Sequence, residues 1–250
     1  MTMLPKNPSQ KKLGLLIDLD TCVGCHACAV SCKEWNSGGH AAPLTDTNPY
    51  GKDPDGVWFN RIHTFEVSQP ELGPTAGQTV HMPRSCLHCE SPECVTVCPT
   101  GASYKRAEDG IVLIDEDKCI GCKLCSWACA YGAREYDQDA GVMKKCTLCV
   151  DRIYNENLTE SERQPSCVTT CPAGARHFGD LGDTESEVSK LVSERGGFDL
   201  MAEIGFKPTN KYLPPRPKSG PSNSYRPLVI DKQETIDSRF LRWVDRLFSR

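Results

Sequence analysis

The chain has 250 residues, enough for one large domain or two small ones, and its 29 basic and 33 acidic residues leave a net charge of −4. This balance argues against a nucleic-acid partner, because a phosphate-binding surface needs an excess of lysine and arginine. Cysteine is the outlier, with 16 residues, and so many thiols must be committed either to disulfides or to metals.

The N-terminal stretch MTMLPKNPSQKKLGLLIDLD favours metals. It contains no apolar segment of signal-peptide length, no small-residue cleavage site and no twin arginine. We therefore expect the protein to stay in the reducing cytoplasm, where structural disulfides are rare. The sequence also lacks a run of about 18 apolar residues, the length that a membrane-spanning helix needs.

The first predicted element is a strand, LGLLIDLD at residues 13–20, a short apolar run that leads into a cysteine loop. HACAVSCKEW at 26–35 is a helix candidate. Residues 33–85 are rich in Gly, Pro, Asn and Asp. They are predicted to form an ordered insertion with one strand near VWFNRIHTFEV at 57–67.

The middle of the chain predicts a hairpin, since ASYKRAEDGIVLID at 102–115 has an Asp-Gly turn between two candidate strands. KLCSWACAYG at 123–132 is a second short helix candidate. TESEVSKLVSERGG at 184–197 predicts a helix with Thr184 as its cap, an acidic first turn and a terminal glycine.

The last part of the chain is predicted to be an extended segment followed by a helix. Residues 207–227 are rich in Pro and Lys. ETIDSRFLRWVDRLFSR at 234–250 places its apolar side chains on one helical face, with arginines elsewhere. We expect this amphipathic helix to attach the protein to a partner or a lipid surface, or else to pack on the protein's own body.

The cysteines fall into four groups of four. These groups are Cys22, Cys25, Cys28 and Cys32; Cys86, Cys89, Cys94 and Cys98; Cys119, Cys122, Cys125 and Cys129; and Cys146, Cys149, Cys167 and Cys171. LIDLDTCVGCHACAVSC at 16–32 aligns without gaps on LIDEDKCIGCKLCSWAC at 113–129, and CPTGA at 98–102 returns as CPAGA at 171–175. The sequence is therefore interpreted as a duplicated unit.

The spacing of the first and third groups, C-x2-C-x2-C-x3-C, is typical of [4Fe–4S] clusters in two-cluster ferredoxins. Each iron corner of the cube needs one thiolate, and a loop with two residues between successive cysteines wraps three of them round one cube. The fourth cysteine points towards the neighbouring cluster. Sixteen cysteines taken four at a time predict four [4Fe–4S] clusters.

A short hairpin segment separates Cys98 from Cys119, so the second and third groups are expected to form one two-cluster module. The first and fourth groups then pair by elimination. In each pair the leading three cysteines of one group join the last cysteine of the other. The predicted iron ligands are set A, Cys22, Cys25, Cys28 and Cys171; set B, Cys32, Cys146, Cys149 and Cys167; set C, Cys86, Cys89, Cys94 and Cys129; and set D, Cys98, Cys119, Cys122 and Cys125.

The predicted fold class is α+β, with duplicated two-cluster ferredoxin-like modules, inserted loops and an extended C-terminal tail. The predicted parts are a first module at 13–32 plus 140–183, an insertion at 33–85, a second module at 86–139, a helical segment at 184–206 and a tail at 207–250. Four clusters in one protein are best explained as a wire that passes single electrons between two partners.

Two other uses of the thiols are disfavoured. All-thiolate zinc sites also use C-x2-C pairs, but they are usually built from two such pairs, and a third cysteine two residues on gains nothing in tetrahedral geometry. Disulfides are disfavoured by the expected compartment. A catalytic residue pattern or a glycine-rich phosphate loop is not visible, so no catalytic site is expected in this chain.

Several residues beside the cysteines have open roles. Lys33, Lys123, Lys144 and Lys145 either raise cluster potentials or are solvated surface charges. His26 and His88 are surplus as ligands and either bond a cluster or meet a partner. Trp35 and Trp127 are expected to cover a cluster against water.

Four ferredoxin-type groups with this spacing resemble the iron–sulfur subunits of the dimethyl-sulfoxide-reductase family of membrane-bound molybdenum oxidoreductases. The resemblance covers roughly residues 13–215. Within the family, CVGCHACAVSCKEWNSGG, NPYGKDPDGVWFNRIHTFE and VMKKCTLCVDRIYNENL are most similar to subunits of quinone-linked sulfite-oxidising complexes. Some relatives replace one cysteine of the third group with Trp, but this sequence keeps all four thiols.

The resemblance implies two partners: a catalytic subunit with a molybdopterin cofactor and an integral membrane subunit that exchanges electrons with quinone. It also implies a place at the inner face of the cytoplasmic membrane. The substrate alternatives to sulfite are dimethyl sulfoxide, thiosulfate, polysulfide and tetrathionate. Alternatives of another class are a free polyferredoxin carrier and a zinc-bound structural module.

Overall fold

The computed structural model describes residues 3–36, 57–68 and 77–216, and in these residues short helices and short strands alternate along the chain. The elements are β1 Leu13–Asp18, α1 Ala27–Asn36, β2 Asn60–Ser68, β3 Gly77–Ser85, α2 Glu93–Thr96, β4 Ser103–Lys105, β5 Val112–Ile114, α3 Leu124–Trp127, β6 Glu135–Asp137, β7 Val142–Lys144, α4 Val150–Ile153, α5 Ser166–Thr169, β8 Arg176–Asp180, α6 Glu187–Arg195 and β9 Lys211–Leu213. The fold is α+β, as the sequence predicts.

Strand β1 is the central strand of a three-stranded sheet, with β8 antiparallel on one side and β9 parallel on the other. All six residues of β1 are buried, which explains why the segment is a continuous apolar run and not an alternating pattern. Leu15 pairs with Phe178, and Ile17 pairs with Tyr212. Because β8 follows Cys171 closely, this sheet brings the first and fourth cysteine groups together.

Helices α1 and α5 pack against each other and join the same two groups. The hydroxyl of Ser166 donates to the carbonyl oxygen of Ser31 at 3.1 Å, and the hydroxyl of Thr170 donates to Ser31 Oγ at 2.8 Å. Small hydroxyl side chains allow the two helices to approach closely while their polar atoms stay paired.

The second and third groups are joined by the β4–β5 hairpin, which confirms the hairpin predicted at 102–115. Its turn is held by Asp109, which is fully buried and accepts hydrogen bonds from Arg106 Nε at 3.1 Å and from the Tyr154 hydroxyl at 2.7 Å. Helix α2 then packs on helix α3. The elements beside the second and third groups therefore lie against each other.

A left-handed residue stands directly before the second cysteine of every group. These residues are Gly24, His88, Gly121 and Leu148, with φ angles of 68°, 47°, 65° and 58°. The positions after the second cysteine also correspond in the two compact groups, where His26 and Lys123 are left-handed. Such residues turn the chain sharply. The duplication seen in the amino-acid sequence is therefore also present in the backbone conformation of the cysteine loops.

The insertion contributes a hairpin in which β2 pairs with β3 in antiparallel register. The strand predicted near 57–67 is confirmed. Strand β3 was not predicted, because its sequence GQTVHMPRS contains a proline and lacks regular alternation. The rest of the insertion, at 37–56 and 69–76, lies outside the described residues.

Helix α6 confirms the helix predicted at 184–197 and corrects its cap. The cap is Ser186, whose hydroxyl accepts from the Ser189 N–H at 3.2 Å, and not Thr184. Residues 183–186 form a turn, closed by a bond from the Ser186 N–H to the Asp183 carbonyl at 3.2 Å, so the helix begins later. At its other end Arg195 pairs with Asp18 at the end of β1.

The predicted terminal helix at 234–250 lies outside the described residues, and so does most of the extended segment at 207–227. Across the portion that the structure does describe, the helices are too short or too polar to cross a bilayer.

A pair of glycines tests the backbone of the third group. Gly121 and Gly141 both have positive φ, so alanine at either position costs about 1–2 kcal/mol of stability. At Gly121 an added Cβ would also come within 2.4 Å of the Gly141 carbonyl oxygen, whereas at Gly141 it would meet open space. We expect Gly121→Ala to lower the free energy of unfolding clearly more than Gly141→Ala, as measured by denaturant titration of the iron-loaded protein. Equal losses would contradict the crowded turn.

Candidate functional site

All sixteen cysteines are free thiols, so the disulfide alternative is not realised. The structure gathers them into clusters that combine distant parts of the chain. One cavity of about 300 Å³, partly open to solvent, is lined by all four cysteines of set B, Cys32, Cys146, Cys149 and Cys167. A second, of about 320 Å³, is lined by all four cysteines of set D, Cys98, Cys119, Cys122 and Cys125.

Three cysteines of set A and all four of set C are also neighbours. In set A, burial raises the pKa of Cys22, and charge on nearby Cys28 and Cys171 raises it further. In set C, burial raises the pKa of Cys89 far above its ordinary value, and charge on Cys86, Cys94 and Cys129 adds to this.

Burial dominates the protonation of the thiols. It raises the pKa of Cys94 and of Cys167 to about 11 and that of Cys146 to about 12, because a thiolate is poorly solvated inside the protein. Without a cation these thiols keep their protons. A metal ligand must be a thiolate, so binding of iron here must release protons.

Backbone N–H groups point at several sulfurs. The N–H groups of Met143, Ser103 and Ala175 each lie 3.3 Å from a cysteine sulfur, namely Cys119, Cys98 and Cys171. Burial would raise the pKa of Cys98, but the Ser103 N–H and the Thr100 hydroxyl outweigh it and lower the pKa. These donors favour thiolates over neutral thiols.

Side-chain donors contact the sulfurs as well. Asn36 Nδ2 lies 3.6 Å from Cys32 Sγ and 3.7 Å from Cys149 Sγ, so one amide touches two members of set B. Arg134 Nη2 lies 2.9 Å from Cys94 Sγ. Hydrogen bonds to sulfur are one of the means by which proteins tune iron–sulfur potentials.

Sequence reasoning missed Arg134 and a second buried arginine, Arg176. Their exposed fractions are 4% and 3%. A signal was present, because CAYGAR at 129–134 and CPAGAR at 171–176 share the pattern Cys-x-x-Gly-Ala-Arg. The arginine thus follows the last cysteine of the third and fourth groups at the same distance.

The four lysines differ in burial. Lys33 and Lys145 are buried: Lys33 Nζ donates to the Val57 carbonyl at 3.0 Å, and Lys145 Nζ donates to the Cys146 carbonyl at 2.6 Å. Lys144 is half-buried and pairs with Asp137 at 3.0 Å. Lys123 is exposed and lies over the Tyr136 ring. Lys33 and Lys145 are therefore not the solvated surface charges that one of the two hypotheses describes.

The tryptophans do not act as the expected covers. Trp127 is 83% exposed, and Trp35 is 42% exposed with its Nε1 bonded to Asp151 at 2.8 Å. In the one-turn helix α3 it is Cys125 that faces inward, which leaves Trp127 on the outer side. His88 is fully buried and accepts from the Val112 N–H at 3.1 Å, and burial lowers its pKa, so it is a neutral core residue.

The sets also border one another. Besides burial, negative charge on Cys86 of set C raises the pKa of Cys146 of set B, and the two residues belong to one apolar cluster. Negative charge on Cys28 of set A likewise raises the pKa of Cys167 of set B. Cys25 in set A and Cys122 in set D are the two exposed cysteines of the sixteen. Sets A, B and C therefore adjoin one another through these residues, and the cysteines reach the surface at two corresponding positions of the repeat.

The donor set fits iron–sulfur clusters. The cavities of sets B and D each offer four sulfurs, with N–H donors such as that of Met143 at the sulfurs and largely apolar linings, which are the features that hold and tune such clusters.

Comparison with protein families agrees with this chemistry. Two models, each described as a 4Fe-4S dicluster domain, match residues 21–102 and residues 78–181. Together they cover all four cysteine groups, and two dicluster domains correspond to four clusters.

Curated relatives match across most of the chain. It is 62% identical over 206 residues to the sulfite dehydrogenase B-subunit of Allochromatium vinosum, a match that covers 82% of this chain and 84% of the relative. It is 37% identical to the putative dimethyl sulfoxide reductase iron-sulfur B-subunit of Halobacterium salinarum, covering 80% and 78% of the two proteins. It is 35% identical to the polysulfide reductase B-chain of Wolinella succinogenes, covering 84% and 97%.

Metal analysis checks the contents of the site. Protein purified without oxygen is expected to contain about sixteen iron atoms and as many acid-labile sulfides per chain, with broad visible absorbance, since each cube holds four of each. Chelator-treated protein is the control and should lose both the iron and the colour. A colourless protein with stoichiometric zinc would contradict the assignment.

Proposed function

The protein belongs to the iron–sulfur subunits of the dimethyl-sulfoxide-reductase family, and from that premise we propose that it relays electrons between a molybdopterin catalytic subunit and a quinone-reactive membrane subunit. It is an electron-transfer subunit with four [4Fe–4S] clusters. When bound, such a cluster takes up and releases one electron at a time.

The proposed ligands are the four crossed sets. The observation that carries the proposal is that single cavities are lined by complete sets, each with thiols from two distant cysteine groups. Within set B, Cys32 comes from the first group and the other three from the fourth; within set D, Cys98 comes from the second group and the other three from the third. The charge contacts within sets A and C support the same crossing there.

The contacts between sets support one order for the wire: A, B, C, D. Set A borders set B through Cys28 and Cys167, and set B borders set C through Cys146 and Cys86. Arg134 contacts Cys94 of set C and lines the cavity of set D. The two exposed cysteines, Cys25 and Cys122, then belong to the two end sets, where electrons must enter and leave.

Apolar side chains stand exposed beside both ends. Val23 and Val30 flank set A with exposed fractions of 60% and 59%. Ile120 and Trp127, their counterparts in the repeat, flank set D with 66% and 83%. Exposed apolar patches beside a site mark partner surfaces, and aromatic anchors such as Trp are enriched in them. This arrangement supports two docking faces, one at each end.

The proposed substrate of the catalytic partner is sulfite, with electrons passing from molybdenum through this protein to quinone. The support is the identity to the B-subunit of a sulfite dehydrogenase, which is far higher than the identity to the reductase subunits. The proposed location is the cytoplasmic face of the membrane, held there by the membrane subunit. The terminal amphipathic helix predicted at 234–250 is a further candidate for attachment.

Serine variants test the crossed ligands. Cys129→Ser is expected to alter the same paramagnetic signal as Cys94→Ser, because both belong to set C, while Cys98→Ser should alter the same signal as Cys125→Ser. Cluster signals would be followed by electron paramagnetic resonance of the reduced full-length protein. If Cys129→Ser instead altered the signal that Cys125→Ser alters, the crossed assignment would be wrong, because Cys125 is its neighbour in sequence and belongs to set D.

Enzyme assay tests the substrate. The complex purified through this protein is expected to reduce a quinone analogue when sulfite is added, and to lose this activity when Cys86→Ser breaks set C. Dimethyl sulfoxide, polysulfide and tetrathionate with reduced quinone are the matched alternatives. Turnover of one of these without any sulfite-dependent reduction would overturn the substrate, and purification without a molybdenum subunit would favour a free carrier.

A further inference from the structure

Arg134 and Arg176 are buried cations without a carboxylate partner. Within residues 3–36, 57–68 and 77–216, neither forms an ion pair with Asp or Glu. A guanidinium does not lose its proton in proteins, so each remains positively charged. An isolated charge in the interior is expensive, and a buried charge is normally paired. The missing counterion must therefore be sought among the neighbours of each arginine.

Those neighbours are sulfurs of two different sets. Arg134 Nη2 donates to Cys94 of set C at 2.9 Å and to the Ser103 hydroxyl at 2.8 Å, and the same guanidinium lies beside Cys125 of set D. Arg176 repeats the pattern in the other module, where it lines the cavity of set B together with Cys167 and interacts electrostatically with Cys167 and with Cys28 of set A.

Part of each guanidinium is still unpaired. Nη1 of Arg134, and Nε and Nη1 of Arg176, are buried and have no hydrogen-bond partner among the described residues. Arg176 Nη2 is held by Asn60 Oδ1 at 2.7 Å, and Arg176 lines the cavity of set B as Arg134 lines that of set D. Unpaired buried donors beside these cavities fit an acceptor that occupies them.

Resting on the ligand sets proposed above, we propose that each arginine is the shared counterion of two neighbouring clusters, Arg176 for sets A and B and Arg134 for sets C and D, and raises the reduction potential of both. Four thiolates make each cluster anionic, and reduction adds one more negative charge. A fixed positive charge at short range in a poorly solvated interior stabilises the reduced form more than the oxidised form. It also lowers the repulsion between two anionic neighbours, which lets them lie close together.

Lysine would be a weaker choice, since its smaller, rotatable ammonium cannot span two sulfurs from a fixed fork.

The test is a redox titration of the full-length, cluster-loaded protein with dithionite, followed by electron paramagnetic resonance. In Arg134→Met, both clusters of sets C and D are expected to become harder to reduce. At fixed potential the ratio of reduced to oxidised cluster should fall at least tenfold, about 59 mV for a one-electron couple, while sets A and B stay unchanged. Arg176→Met should give the reverse, so each variant is the control for the other.

Three further variants keep the test decisive. Arg134→Lys retains the charge and should shift the two clusters less than Arg134→Met. Ser103→Ala removes only the hydroxyl that holds the guanidinium, and it should shift the potentials of the clusters of sets C and D slightly in the same direction. It replaces Arg134→Met in the test if that variant loses iron. Asn36→Leu should shift set B alone, because Asn36 contacts only set B sulfurs.

A shift in one cluster only, in all four together, or of equal size in Arg134→Lys and Arg134→Met would overturn the shared counterion. The titration uses dithionite and needs neither sulfite nor a partner, so failure of the proposed substrate leaves it valid. If the ligand sets themselves were wrong, the cysteine variants that assign the signals would reveal it before any arginine is changed.

Discussion

A cuboidal cluster needs four thiolates that converge from different directions, and one short loop with two-residue spacing supplies only three. The fourth has to come from another part of the chain. In this protein two cavities are each lined by four thiols that come from two cysteine groups, so neither cavity is built from one segment. The β1–β8 ladder, the α1–α5 contact and the β4–β5 hairpin exist where they bring two groups together.

The proposed crossing has a second consequence, because a shared group would also place neighbouring clusters side by side. A group that gives its first cysteines to one site and its last to the next fixes the spacing between the two sites with a single turn of helix. Between the two modules no such crossing is needed, and contact of Cys86 with Cys146 across the apolar interior suffices. Clusters bound there would be anionic and poorly solvated, and the buried cations Lys33, Lys145, Arg134 and Arg176 would compensate part of that charge.

Much of this organisation could be predicted from the sequence, because cysteine spacing is set by the inorganic cube and not by the rest of the fold. The cysteines of each group, the duplication and the hairpin at 102–115 are all local patterns. The N-cap of α6 was misplaced because Thr184 and Ser186 are both good caps, and only the preceding turn decides between them.

What the sequence could not supply depends on tertiary structure. Strands β3 and β9 are too irregular or too short to have a pattern, and they are defined by their partners. Trp127 was wrongly expected to cover a cluster, because nothing in CSWAC indicates which side of a one-turn helix faces the interior. Arg134 and Arg176 were not predicted to be buried, because charged residues are usually exposed, and their shared hexapeptide is informative only after its cysteines are known to lie inside.

The central claim of one continuous wire is tested most directly by locating the iron. A crystal of the full-length protein in its complex, measured at the iron absorption edge, should show four compact anomalous peaks in one row, with the peak beside Cys25 at one end and the peak beside Cys122 at the other. Peaks in separate pairs, or a row that ends beside Cys86 or Cys146, would contradict it.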